Sequence, residues 1–129
     1  MKYKVMIVED QTMPRELFEL RVQASERFEL ALSIDNAALA DVYCLRFPVD
    51  LILMDVITRD GENGLDAAAR IKRAFPQIKI IIVTSMPECS YLSRAREIGV
   101  ESFWYKEEQR ESLLDVMERT MNGESVYPK

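Results

Sequence analysis

Short apolar runs of strand length alternate along this chain with longer stretches in which apolar positions recur at helical spacing. The pattern predicts strands at 4–8, 29–33, 51–54, 78–83 and 102–105, and helices at 12–25, 36–47, 65–75, about 88–98 and about 109–122. Gly99 and Gly123 fall just past the last two helices, where left-handed C-terminal caps belong. Val5-Met6-Ile7-Val8, Leu51-Ile52-Leu53-Met54 and Ile80-Ile81-Ile82-Val83 are apolar on both faces and read as central strands. Glu29-Leu30-Ala31-Leu32-Ser33 alternates as an edge strand does. Strict alternation of strand and helix with short connections requires a parallel sheet with right-handed crossovers and helices on both faces. The expected fold is α/β: a doubly wound, flavodoxin-like domain with a five-stranded parallel sheet in the order 2-1-3-4-5.

Composition narrows the chemistry. A chain of 129 residues is one domain, able to bury about two-thirds of its unfolded surface. With 48% apolar and 30% charged residues and no internal repeat, it is neither disordered nor fibrous. No apolar run approaches the roughly 18 residues of a spanning helix, and no cleavage pattern follows Met1-Lys2-Tyr3-Lys4, so a cytoplasmic protein with no membrane contact is expected. The net charge of −5 and the lack of a basic run argue that this segment does not itself bind nucleic acid. There are no histidines, which removes Ser-His-Asp and Cys-His catalysis and His-containing zinc sites together. Cys44 and Cys89 lack redox spacing and are expected to be reduced, partly buried thiols.

In an open α/β sheet ligands bind beyond the carboxyl ends of the strands. Here those ends carry Glu9-Asp10, Asp55, Thr84 and Lys106. Read singly, the acids are helix caps or turn residues, Thr84 a β-branched strand end and Lys106 a surface charge. Read together, three carboxylates converge with a hydroxyl and an ammonium. Like charges that close call for a cation, and an all-oxygen donor set with room for water and phosphate suits Mg²⁺.

At these residues the sequence resembles the response-regulator receiver domain of two-component signalling, over essentially residues 2–122. Val5-Met6-Ile7-Val8-Glu9-Asp10 is similar to the family's opening strand and acid pair, and Asp50-Leu51-Ile52-Leu53-Met54-Asp55 to its phosphoacceptor strand. Ile82-Val83-Thr84-Ser85 is similar to its hydroxyl strand, and Gly99-Val100-Glu101-Ser102-Phe103-Trp104-Tyr105-Lys106 to its final strand. The resemblance implies that Asp55 accepts a phosphoryl group from a sensor histidine kinase. It implies that Glu9, Asp10, Asp55 and the Ile57 backbone carbonyl hold Mg²⁺, and that Thr84 and Lys106 bind the phosphoryl oxygens. Thr84 and Phe103 would form the switch, and Ile57 and Met86 would flank the approach of the hydrolytic water. Such a domain is a phosphoacceptor rather than a turnover enzyme, and a homodimer on activation is implied.

The chain departs from the family pattern in two places. Asp55 to Gly64 takes nine steps without a proline where eight with a Met-Pro are common, so this loop is one residue longer. Glu107 follows Lys106 where a cis proline is usual, and because a non-proline cis bond costs about 2.5–4 kcal/mol, a trans Lys106–Glu107 peptide is expected. The tail from Thr120 to Lys129 resembles the exit of a receiver into the linker of LuxR-type helix-turn-helix regulators. Residues 1–122 are therefore expected to be the receiver and 123–129 the start of a linker in a fragment of a longer regulator, in preference to a stand-alone receiver, with DNA contacted only through an output domain not in this chain. Among the alternatives, a flavin site would be repelled by Glu9-Asp10-Gln11 where small residues and free N–H groups are needed. An Asp-nucleophile phosphatase usually has a second acid at the position of Ile57. A dimerisation module without phosphotransfer would not require every acid, hydroxyl and ammonium position seen here.

Overall fold

The computed structural model describes residues 2–85, 88–107 and 111–128. Five parallel strands, β1 (Tyr3–Val8), β2 (Phe28–Ile34), β3 (Leu51–Asp55), β4 (Lys79–Thr84) and β5 (Ser102–Tyr105), form one sheet in the order β2-β1-β3-β4-β5. The helices between them are α1 (Thr12–Ala24), α2 (Ala40–Arg46), α3 (Gly64–Ala74), α4 (Cys89–Ile98) and α5 (Leu113–Met121). Alternate residues of each central strand point to opposite faces, giving two cores. Met6, Val8, Ile52, Met54, Ile80, Ile82 and Phe103 pack under α2, α3 and α4. Val5, Ile7, Leu51, Leu53, Ile81, Val83 and Trp104 pack under α1 and α5. β2 is half-exposed along six of its seven residues, as its alternation predicts for an edge.

Three expectations need correction. The helix expected at 36–47 begins as a 3-10 turn, Ala37–Leu39, because the Asn36 side chain accepts from the Ala38 N–H and Leu39 leaves helical geometry (φ −102°, ψ 1°) before α2 starts. The last helix starts at Leu113, where Ser112 caps it by accepting from the Asp115 N–H at 3.1 Å; residues 108–110 lie outside the described residues. Cys44 is buried as expected, but Cys89, the first residue of α4, is exposed; both thiols are free. The glycine caps stand as predicted, with φ of 91° at Gly99 and 98° at Gly123. No described peptide bond is cis, so Lys106–Glu107 is trans.

Candidate functional site

The carboxyl edge of the sheet gathers the predicted residues. Glu9 and Asp10 follow the last residue of β1, Asp55 and Thr84 close β3 and β4, and Lys106 follows β5, its N–H donating to the Thr84 carbonyl at 2.9 Å. Carboxylate oxygens of Glu9, Asp10 and Asp55 all lie within 4.8 Å of one another. Glu9 is fully buried, Asp55 is 8% exposed and Asp10 is half-buried. The Lys106 ammonium donates to Glu9 Oε1 and stands 3.4 Å from Asp55 Oδ2. The Gln11 N–H donates to Glu9 Oε2 at 3.2 Å, and the Val56 N–H to Asp55 Oδ1 at 2.8 Å.

Electrostatics at Asp55 follow from that packing. Burial pushes its carboxyl from an ordinary 3.8 up to about 7. Lys106 opposes the rise, the Glu9 charge and hydrogen bond add to it, and the Val56 N–H draws it down slightly. Among the described residues the Lys106 ammonium is the cation paired with these carboxylates, and the Arg15 guanidinium donates to the Glu9 backbone carbonyl at 3.1 Å. The donors are all hard oxygens, which fits a Mg²⁺ ion and not a soft metal.

The longer loop after β3 is firmly tied. Asp60 and Gly61 take left-handed conformations (φ 62° and 73°), so the Asp-Gly pair absorbs the additional residue. The Thr58 N–H donates to the Glu62 carbonyl at 2.9 Å and the Gly64 N–H to the Val56 carbonyl at 2.6 Å, two rungs that bracket Ile57. The Ile57 side chain is 47% exposed. At Gly64 a Cβ would fall 1.8 Å from the Asp55 carbonyl oxygen, so only glycine lets α3 start against the end of β3. Phe103 is buried, with the Tyr105 ring 5.3 Å and the Tyr127 ring 6.3 Å away. Met86, expected to flank the approach of water, lies outside the described residues.

Two features escaped the sequence reading. Thr58 is buried, its hydroxyl donating to the Glu62 carbonyl and accepting from the Ala37 N–H, both at 2.9 Å, and Arg59 pairs with Asp35 at 2.7 Å. The Asp60-Gly61 turn signature could have signalled a closed loop, but nothing in the pattern names its anchors. The second is Tyr127, half-buried against the first core although it lies beyond the expected boundary at 122.

One edge of the doubly wound sheet thus presents an acid pair, a buried aspartate, a threonine and a lysine. Residues 5–118 match the response regulator receiver domain, and the chain belongs to that family. It is 32% identical over 127 residues to the response regulator protein VraR of Staphylococcus epidermidis and 31% identical to VraR of Staphylococcus aureus. Each match covers 98% of this chain, which spans 60% of the length of those relatives. A DNA-binding response regulator of the LuxR family from S. aureus superposes with a TM-score of 0.83 at 25% identity, over 92% of this chain and 98% of that one. The isolated REC domain of RcsB from Salmonella enterica serovar Typhimurium, solved with phosphomimetic BeF₃⁻, shares the fold at TM-score 0.89 and 16% identity, over 100% of this chain and 95% of that one. Among the described residues no helix is long and apolar enough to cross a membrane.

Proposed function

We propose that this chain is a cytoplasmic switch in which Asp55 takes a phosphoryl group from a phosphohistidine of a partner sensor kinase. The observation that carries the reading is the convergence of Glu9, Asp10 and Asp55 oxygens within 4.8 Å, with the Lys106 ammonium 3.4 Å from Asp55. An oxygen of Asp55 attacks phosphorus in line, the P–O bond forms as the P–N bond breaks, and the electron pair leaves with the kinase imidazole. Lys106 and the Val56 N–H favour the ionised, nucleophilic carboxylate against the burial that opposes it. Glu9, Asp10, Asp55 and the Ile57 carbonyl would hold Mg²⁺, which when bound offsets negative charge on the phosphoryl oxygens. The Lys106 ammonium and the Thr84 hydroxyl take those oxygens as they leave the donor.

Movement of Thr84 toward the phosphoryl group makes room for Phe103 to rotate, which repacks the surface formed by α4, β5 and α5. Residues 1–122 are the receiver and 123–129 open a linker; the output is DNA binding through a further domain, with a homodimer on activation. The family match and the VraR and LuxR-family relatives support this reading. The chain catalyses its own phosphotransfer and slow dephosphorylation but does not turn over a phosphoester. Ile57 and Met86, both apolar, would shield the acyl phosphate from water.

Incubation with acetyl phosphate and Mg²⁺ is expected to add one base-labile phosphoryl mass, and Asp55→Asn is expected to abolish it. Modification of that variant, or full modification in excess chelator, would overturn the assignment of nucleophile and metal.

A further inference from the structure

Beyond Gly123 the chain turns back onto the domain. The Glu124 N–H donates to the Arg119 carbonyl at 3.0 Å, and the Arg119 guanidinium holds the Glu124 carboxylate at 3.0 Å. The next residues run along the free side of β5. The Phe103 N–H donates to the Val126 carbonyl at 2.9 Å, and the Tyr127 hydroxyl donates to the Val100 carbonyl at 2.6 Å. The Val126 N–H donates to Ser102 Oγ at 3.1 Å. Because the Thr120 hydroxyl donates to the Val116 carbonyl, the 2.6 Å contact between Ser102 and Thr120 must have Ser102 as donor. A single directed chain of hydrogen bonds thus ties Val126 to α5. The Arg96 guanidinium of α4 covers the Tyr127 ring at 4.1 Å from its centroid, and burial pushes the Tyr127 phenol up to about 12.

These contacts join α4, β5 and α5 through one short segment, and its aromatic residue lies against Phe103. We propose that residues 124–127 are a strap coupled to the acceptor site: docked while Phe103 lies against Tyr127, and loosened when Phe103 rotates toward Thr84. The inference rests on the phosphoacceptor reading above. Rotation toward Thr84 withdraws Phe103 from the Tyr127 ring, now 6.3 Å away, and disturbs the backbone whose N–H holds Val126. Linkage then makes the effect reciprocal: whatever factor activation costs strap docking, loss of the strap returns to activation. Glu124 to Tyr127 would carry the change at Asp55 directly into the chain that follows.

The test is amide exchange by NMR on the full chain, with and without Mg²⁺ and beryllofluoride, beside beryllofluoride titrations of two variants read by Trp104 fluorescence. Activation is expected to speed exchange at the Phe103 and Val126 amides by about fivefold or more, the lower end of ordinary coupling. Tyr127→Ala is expected to tighten apparent beryllofluoride affinity by a similar factor, whereas Tyr127→Phe, which keeps the ring, stays within about twofold of the parent. If beryllofluoride binds and exchange at both amides is unchanged, the strap is not coupled and the phosphoacceptor reading stands. If Tyr127→Ala is folded and binds like the parent, reciprocity fails and the proposal with it. If neither beryllofluoride nor a phosphoryl group is taken up by the parent, the phosphoacceptor reading falls and the coupling goes with it.

Discussion

In the proposed role, Asp55 must be buried enough to exclude water from an acyl phosphate, yet ionised to attack. Its carboxyl, pushed up to about 7 by burial, binds a proton more tightly folded than unfolded. Its stabilising contribution is therefore complete below pH 4 and is lost as pH rises toward and through 7. In chelator, Asp55→Asn should exceed the parent in stability by roughly 2–4 kcal/mol at pH 8, at about 1.36 kcal/mol per pK unit, and lose that advantage by pH 4. Parallel denaturation midpoints across that range would contradict the electrostatic picture. A second expectation concerns Ile57, half-exposed two residues after Asp55. Ile57→Asn should shorten the phosphoryl half-life roughly threefold to tenfold, up to about 1.4 kcal/mol of barrier, as followed by loss of the phosphoryl mass. Glu9, Asp55, Thr84 and Lys106 were legible in sequence because each directly follows or closes an apolar run that could only be a strand, and Asp10 because it is the neighbour of Glu9. Thr58 was not, since a threonine in a loop gives no sign that its hydroxyl will be buried between two backbone groups.

Among the elements, the start of α3 is the most constrained. Gly64 opens that helix with Asn63 accepting from the N–H groups of Leu65 and Asp66 at 2.7 and 3.3 Å, and any side chain on Gly64 would run into the Asp55 carbonyl. Gly64→Ala should cost at least about 3 kcal/mol, the upper end of overpacking, because the obstacle is backbone and cannot rotate away. A urea midpoint close to the parent's would show that α3 can shift without disturbing β3. The order of strands and helices was legible because the hydrophobic period changes sharply at every boundary between them. Helix ends were less so: Asn36 looks like an ordinary cap, and only the geometry at Leu39 shows that it opens a 3-10 turn before α2. Likewise, the one-residue surplus after Asp55 was visible as a count, whereas its absorption by Asp60 and Gly61 is a matter of backbone conformation.

At the scale of the whole molecule, adjacent residues of β5 serve different cores, Phe103 the one under α4 and Trp104 the one under α1 and α5. Movement of this strand is thus felt on both faces of the sheet. The return of the chain after Gly123 was not legible, because Glu-Ser-Val-Tyr-Pro has neither helical nor strand period and reads as an exit. Its packing also bears on how the protein behaves in a crowded solution. The opposite margin of the sheet, β2, has the Lys4–Glu29 ion pair at 2.5 Å beside it, whereas Ser102-Phe103-Trp104-Tyr105 is uncharged and aromatic. An uncovered strand of that composition is a template for edge-to-edge aggregation. A chain cut after Gly123 should therefore self-associate as its concentration rises, measurable by light scattering, while the 129-residue chain under the same conditions scatters less. Equal scattering from the two would show that the margin needs no cover. On this view the segment after Gly123 is also a solubility device, and where an expression boundary is drawn decides whether the isolated domain stays dispersed.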